Sequence, residues 1–116
     1  MTSQRDATET STTIRAGEPL MTLINVFTVE PARQQELVDL LVDATETRMR
    51  DLPGFISANL HRSADGKQVV NYAQWASREA FEAIGKDPEA AVHMKKAAEI
   101  AKFNPIVCEV VYVDHA

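Results

Sequence analysis

The chain has 116 residues, a single cysteine and a formal net charge of −5, with 45% hydrophobic and 25% charged residues. That length suits one domain with a modest core, and an acidic chain without a basic patch argues against nucleic acid as the main partner. One cysteine cannot form an intrachain disulfide, no run approaches the ~20 apolar residues of a membrane span, and no apolar signal core opens the chain, so no membrane and a cytoplasmic location are expected.

Residues 1–17 are Thr, Ser and charge with little to bury, which predicts a disordered N-terminal tail at 1–18 and a single domain over 19–116. Residues 20–29 predict a strand, with Leu23, Asn25, Phe27 and Val29 on one face and Thr22, Ile24, Val26 and Thr28 on the other. Glu30-Pro31 predicts a helix start, since proline lacks only an N–H that the first turn leaves free. Leu37, Leu40, Leu41 and Ala44 then recur at the spacing of a buried stripe, and Leu52-Pro53-Gly54 ends the helix. Residues 54–62 predict a second strand, in which strict alternation groups Phe55, Ser57, Asn59 and His61. Asp65-Gly66 marks a hairpin turn leading into Val69-Val70-Asn71-Tyr72-Ala73-Gln74-Trp75. Ser77 predicts the cap of a short helix carrying Ala80, Phe81 and Ile84. Asp87-Pro88 predicts the start of a last helix reaching about Lys102, with Ala91, Met94, Ala98 and Ala101 inward. Asn104-Pro105 then separates it from a strand over residues 106–113.

The order β-α-β-β-α-β is the ferredoxin-like pattern, an α+β fold with a four-stranded antiparallel sheet and helices on one face. The uncovered face still carries apolar residues, which predicts a homodimer joined sheet to sheet as a dimeric α/β-barrel.

The stretch ending in Trp75 bears most directly on function. Asn71 and Trp75 share a face, two steps apart, with small Ala73 between them. An amide that donates and accepts, beside a flat indole wall, suits a flat aromatic ligand. The competing reading makes Trp75 a core residue and ties Asn71 to a neighbouring backbone. No histidine or cysteine spacing suggests a metal site, and no glycine-rich phosphate loop or dinucleotide fingerprint is present.

The strand "VVNYAQW" followed by "ASREAFEA", with "LPGF" after the first helix, resembles the antibiotic biosynthesis monooxygenase superfamily over residues 20–114. "NYAQW" resembles in particular the cofactor-free oxygenases of aromatic polyketides. The resemblance implies a small dimeric barrel enzyme that needs no metal, flavin or haem. Its implied partners are a small aromatic substrate, a phenol, anthrone or quinol, and O₂. It implies catalytic roles for Asn71 and Trp75, and His61 and Tyr72 also match the polyketide-enzyme pattern. Two positions depart: Phe81 stands where related oxidases carry Tyr, and Met94 near where they carry Arg. His93-Met94-Lys95 resembles a run in the quinol-monooxygenase branch, which makes His93 a candidate for proton transfer beside His61. Tyr72 faces away from Asn71 and is read as dimer packing. Asn25, Phe27, Phe81 and Met94 are the expected substrate-binding lining. The alternatives are a non-catalytic ligand-binding dimer of this fold and a haem-degrading relative. Asn25 and His93 bring the latter to mind, but Ile84 lies where such enzymes carry Trp.

Overall fold

The computed structural model describes residues 10–116. Its elements follow the expected order: β1 (Met21–Val29), α1 (Gln34–Thr47), β2 (Phe55–Arg62), β3 (Gln68–Trp75), α2 (Arg78–Glu82), α3 (Pro88–Ile100) and β4 (Ala101–Cys108). The strands form one antiparallel sheet in the order β2-β3-β1-β4, as a ferredoxin-like fold requires. Short 3-10 turns lead into α1 at Pro31–Arg33, follow it at Met49–Asp51, and join α2 to α3 at Ala83–Lys86.

Local chemistry explains the boundaries. Pro31, which lacks an N–H, opens the first turn; Ser77 accepts a bond from the Ala80 N–H and Asp87 one from the Ala90 N–H, so α2 and α3 each have an orphan donor satisfied at the start. The hairpin closes on Ser63, whose hydroxyl donates to Asp65 and accepts from the Gln68 N–H, with Gly66 at φ +82°. Gly54 is obligatory for two reasons. Its φ is +86°, and a Cβ there would stand 2.5 Å from the Ala80 Cβ, so the chain turns from α1 into β2 against α2 only without a side chain.

Two apolar clusters lie between sheet and helices. Phe27, Val29, Leu37, Leu41, Val69 and Ala97 form one; Met21, Leu23, Ala73 and Trp75 form the other, with Phe55 and Phe81 packed against it. Between them runs the row that includes Asn25 and Asn71. The bidentate Arg48–Asp87 pair ties the end of α1 to the start of α3, at 2.9 and 2.5 Å.

Four expectations need correction. A bulge between Phe55 and Ser57 resets the alternation of β2, so Phe55 turns to the helix side while Ser57, Asn59 and His61 face the other way. The inward face of α3 is not Ala91 and Ala98, which are exposed, but Ala90 and Ala97. The helix ends at Ile100, and Asn104-Pro105 lies inside β4 rather than breaking the chain. Proline fits there because β4 is an edge strand, where a missing donor need not face a neighbour. Finally, the expected tail is partly placed. Residues 1–9 lie outside the described residues, while residues 10–18 are described, and Thr12 and Thr13 cross the open face. Thr12 donates to Asn59 at 2.6 Å, and Gln74 donates to the Thr13 carbonyl at 2.9 Å. Thr22 and Gln74, on that face, are buried. Among the described residues no helix is long and apolar enough to cross a membrane.

Candidate active site

The register sets the site. In β1 the core-facing residues Leu23, Asn25 and Phe27 stand opposite Ala73, Asn71 and Val69 of β3. Asn25 and Asn71 are therefore direct cross-strand neighbours, with Cβ atoms about 5 Å apart. Two amides side by side within an apolar surface are unusual for a core. Nothing local in either strand requires them.

They lie in the floor of a cavity of about 370 Å³ between the sheet and the three helices. This is within the range of sites for drug-sized ligands. Trp75 and Ala73 continue the floor on β3; Phe55 stands edge-on to the indole, with ring centroids 5.4 Å apart and planes at 87°. That contact holds the indole in one orientation. Phe81 and Ile84 close one side, Met94 another, and Phe27 and Phe103, 5.6 Å apart, the end along β4. Small residues make the room: Ala44, Ala58, Ala73 and Gly85 line the cavity where larger side chains would fill it.

The two amides differ in what they offer. The Asn71 side-chain oxygen accepts from the Asn59 backbone N–H at 3.2 Å, which anchors the carbonyl end and leaves the NH₂ end as donor. The Asn25 side chain is 7% exposed, and its oxygen is buried with no hydrogen-bond partner. An orphaned buried acceptor of this kind costs on the order of 1–3 kcal/mol.

Of the residues expected from sequence, the fold brings together Asn71, Trp75, Asn25, Phe27, Phe81 and Met94 in one cavity lining. It does not bring the histidines there. His61 is exposed on the open face, with its ring nitrogen 3.1 Å from the Asn59 carbonyl. His93 turns toward α1: its Nε2 lies 3.2 Å from the Thr47 hydroxyl and its Nδ1 3.9 Å from Asp43. The same rotation of α3 that buries Ala90 and Ala97 directs His93 along the helix interface. Tyr72 faces the open side, as alternation requires. Sequence reasoning missed Phe55, which only the bulge brings in, and Glu82, the one ionisable side chain among the described lining residues. Glu82 sits at the exposed rim and accepts from Arg78 at 3.1 Å. Among the described residues no group of three or more His, Cys, Asp or Glu could hold a metal ion.

Comparison with known proteins decides the family. The antibiotic biosynthesis monooxygenase family matches over residues 20–96, a span that contains β1 through most of α3 and nearly the whole cavity. The chain belongs to this family. Tetracenomycin-F1 monooxygenase of Streptomyces glaucescens is 47% identical over 100 residues, covering 86% of this chain and 89% of that protein. Among solved structures, the ActVA-Orf6 monooxygenase of Streptomyces coelicolor, in complex with nanaomycin D, superposes with a TM-score of 0.69. It is 31% identical, over 83% of this chain and 93% of that one. SnoaB of Streptomyces nogalater, a cofactor-independent oxygenase, shares the fold at a TM-score of 0.67 and 21% identity, over 83% of this chain and 97% of its own. The protein is thus an enzyme, a monooxygenase of the antibiotic biosynthesis type.

Proposed function

We propose that this antibiotic biosynthesis monooxygenase oxidises a flat, fused-ring phenolic or anthrone-type polyketide with dioxygen, without a cofactor, in the cavity over Asn25 and Asn71. The observation that carries the reading is the amide pair: a fixed donor beside an unpartnered acceptor, set in an otherwise apolar floor against a buried indole. Such a floor matches a ring system with two oxygens on one edge. The Asn71 NH₂ donates to an oxygen that carries negative charge, and the Asn25 oxygen accepts from a neighbouring hydroxyl. Trp75 stacks against the rings. The relatives named for tetracenomycin and solved with nanaomycin D support this substrate class.

The chemistry needs little from the protein beyond placement. Loss of a proton gives an electron-rich carbanion or phenolate, and a donor held at its oxygen stabilises that charge in a water-poor site. The anion passes one electron to O₂, and the radical and superoxide combine to a substrate peroxide. For a methylene carbon, loss of water then leaves a carbonyl: one oxygen atom enters the product, and the other leaves as water with both methylene hydrogens. The cavity holds the reactants together and excludes water from the reactive pair. Glu82 at the rim is the acceptor proposed for the substrate proton, since His61 and His93 lie elsewhere. A second copy of the chain on the open sheet face and a cytoplasmic location belong to the same proposal.

The test is oxygen uptake by metal-stripped protein with anthrones, naphthols and hydroquinones, beside Asn71→Ala. Uptake without additions that collapses in the variant supports the reading. Tight binding of a substrate with no uptake above buffer moves the protein to a ligand-binding role.

A further inference from the structure

The Asn71 amide is held from outside the cavity. Strands β2 and β3 pair with Asn59 opposite Tyr72. The Ser63 N–H donates to the Gln68 carbonyl. Counting back from there in steps of two puts Asn59 and Tyr72 among the facing pairs that exchange backbone bonds. The Tyr72 carbonyl is therefore the ladder acceptor for the Asn59 N–H. That carbonyl takes the Asn59 side-chain NH₂ at 2.8 Å, and the Asn59 N–H donates to the Asn71 Oδ1 at 3.2 Å. The Asn59 side chain thus satisfies the ladder carbonyl while its backbone N–H serves the cavity residue.

We infer that Asn59 is a positioning residue for Asn71, fixed in turn by Thr12 across the open face of the sheet. Both ends of its side-chain amide are tied. The oxygen accepts from the Thr12 hydroxyl at 2.6 Å, and the NH₂ makes a second bond to the Ser57 Oγ at 3.2 Å. The Ser57 hydroxyl donates to the Gln74 Oε1 at 2.7 Å, and the Gln74 Nε2 donates to the Thr13 carbonyl at 2.9 Å. A polar network with its members satisfied holds one arrangement. None of Thr12, Ser57, Asn59 and Gln74 lines the cavity, so the Asn59 N–H is their route to the reaction. That route matters because a terminal amide torsion is broad and roughly two-fold. Without the N–H on its oxygen, the Asn71 amide can turn and present an acceptor where its donor stood. The substrate anion then meets repulsion in place of stabilisation.

This role presupposes the proposed donor function of Asn71 and extends it to a residue that a ligand in the cavity does not touch. The experiment compares wild type, Asn59→Ala, Asn71→Ala, the double variant and Thr12→Val. Oxygen uptake with an anthrone gives kcat and KM. The ionisation of a bound hydroxyanthraquinone, which has no methylene left to oxidise, is titrated by its colour. Asn71→Ala is expected to lose about a hundredfold in kcat. Asn59→Ala should lose about tenfold in kcat with KM within about threefold, the pattern of an interaction made in the transition state. It should also raise the pH at which the bound dye ionises, and adding it to Asn71→Ala should raise that pH no further, since the two act through one bond. If Asn59→Ala does not fold, Thr12→Val decides, with changes of the same sign. Wild-type kcat and dye ionisation in Asn59→Ala, or an equal effect of Asn59→Ala with and without Asn71, overturn the positioning role and leave the proposed function standing. Full turnover by Asn71→Ala overturns both.

Discussion

Replacing Asn25 with Leu should make the protein more stable and inactive at once. The Asn25 oxygen is buried without a partner, opposite Asn71 and among Leu23, Phe27 and Ala73. Leucine has nearly the same shape and no polar atom to leave unpaired. Removing one unsatisfied buried acceptor is worth about 1–3 kcal/mol, and burying the new methyl groups against apolar neighbours adds to it. For a domain of this size each kcal/mol moves Tm by roughly 3–6 °C, so a rise of about 3–18 °C is expected. The assay is urea unfolding of both proteins, with the slope compared to confirm that only stability has changed, beside oxygen uptake. A second arm repeats the unfolding with a bound phenolic ligand. The wild type gains stability by mass action, and the variant gains much less, because the acceptor the ligand would have satisfied is gone. The reasoning is refuted if Asn25→Leu is no more stable than the wild type, or if it turns over substrate at the wild-type rate. The first result means that the oxygen already has its partner within the protein; the second means that the substrate does not bond to it.

Three other outcomes follow from the same coordinates. Gly54→Ala should lower stability by more than the ~1 kcal/mol ordinary for a glycine replaced at positive φ, because the new Cβ would stand 2.5 Å from that of Ala80; the urea midpoint measures it. Acid should loosen the α1–α3 junction: bonds from Arg48 and the Ala90 N–H hold Asp87 ionised and lower its pKa from 3.8 to about 2. A depressed carboxyl stabilises the fold above its unfolded pKa and loses that contribution as pH falls from about 4 through 2. Asp87→Asn should accordingly flatten the dependence of the urea midpoint on pH over that window. His93→Ala should retain oxygen uptake within about threefold, since the imidazole packs on Thr47 and Asp43 rather than the cavity; a loss of a hundredfold would place it in the reaction.

The parts of the fold governed by period were legible in the sequence. Alternation in β1 and β3 put Asn25 and Asn71 on core faces, and capping residues marked the starts of α2 and α3. Helix orientation was less legible where the side chains were small. In α3 alanines stand on two adjacent stripes, Ala90 with Ala97 and Ala91 with Ala98, so hydrophobicity alone does not choose between them. His93 was misplaced with the helix face. Phe55 was assigned to the wrong side because a bulge adds a residue to one strand without a composition signal. The pairing of Asn25 with Asn71 depends on register between strands far apart in the chain. Nothing in either strand announces it; only the assembled sheet turns two separate asparagines into one site.

The most direct test of the account is the fate of isotopically heavy dioxygen. Metal-stripped enzyme is given an anthrone substrate under labelled O₂ in ordinary water, with Asn71→Ala beside it. The account predicts one labelled oxygen atom in each product molecule formed by the wild type and almost no product from the variant. Product whose new oxygen comes from water, or labelled product formed equally well by the variant, would contradict it.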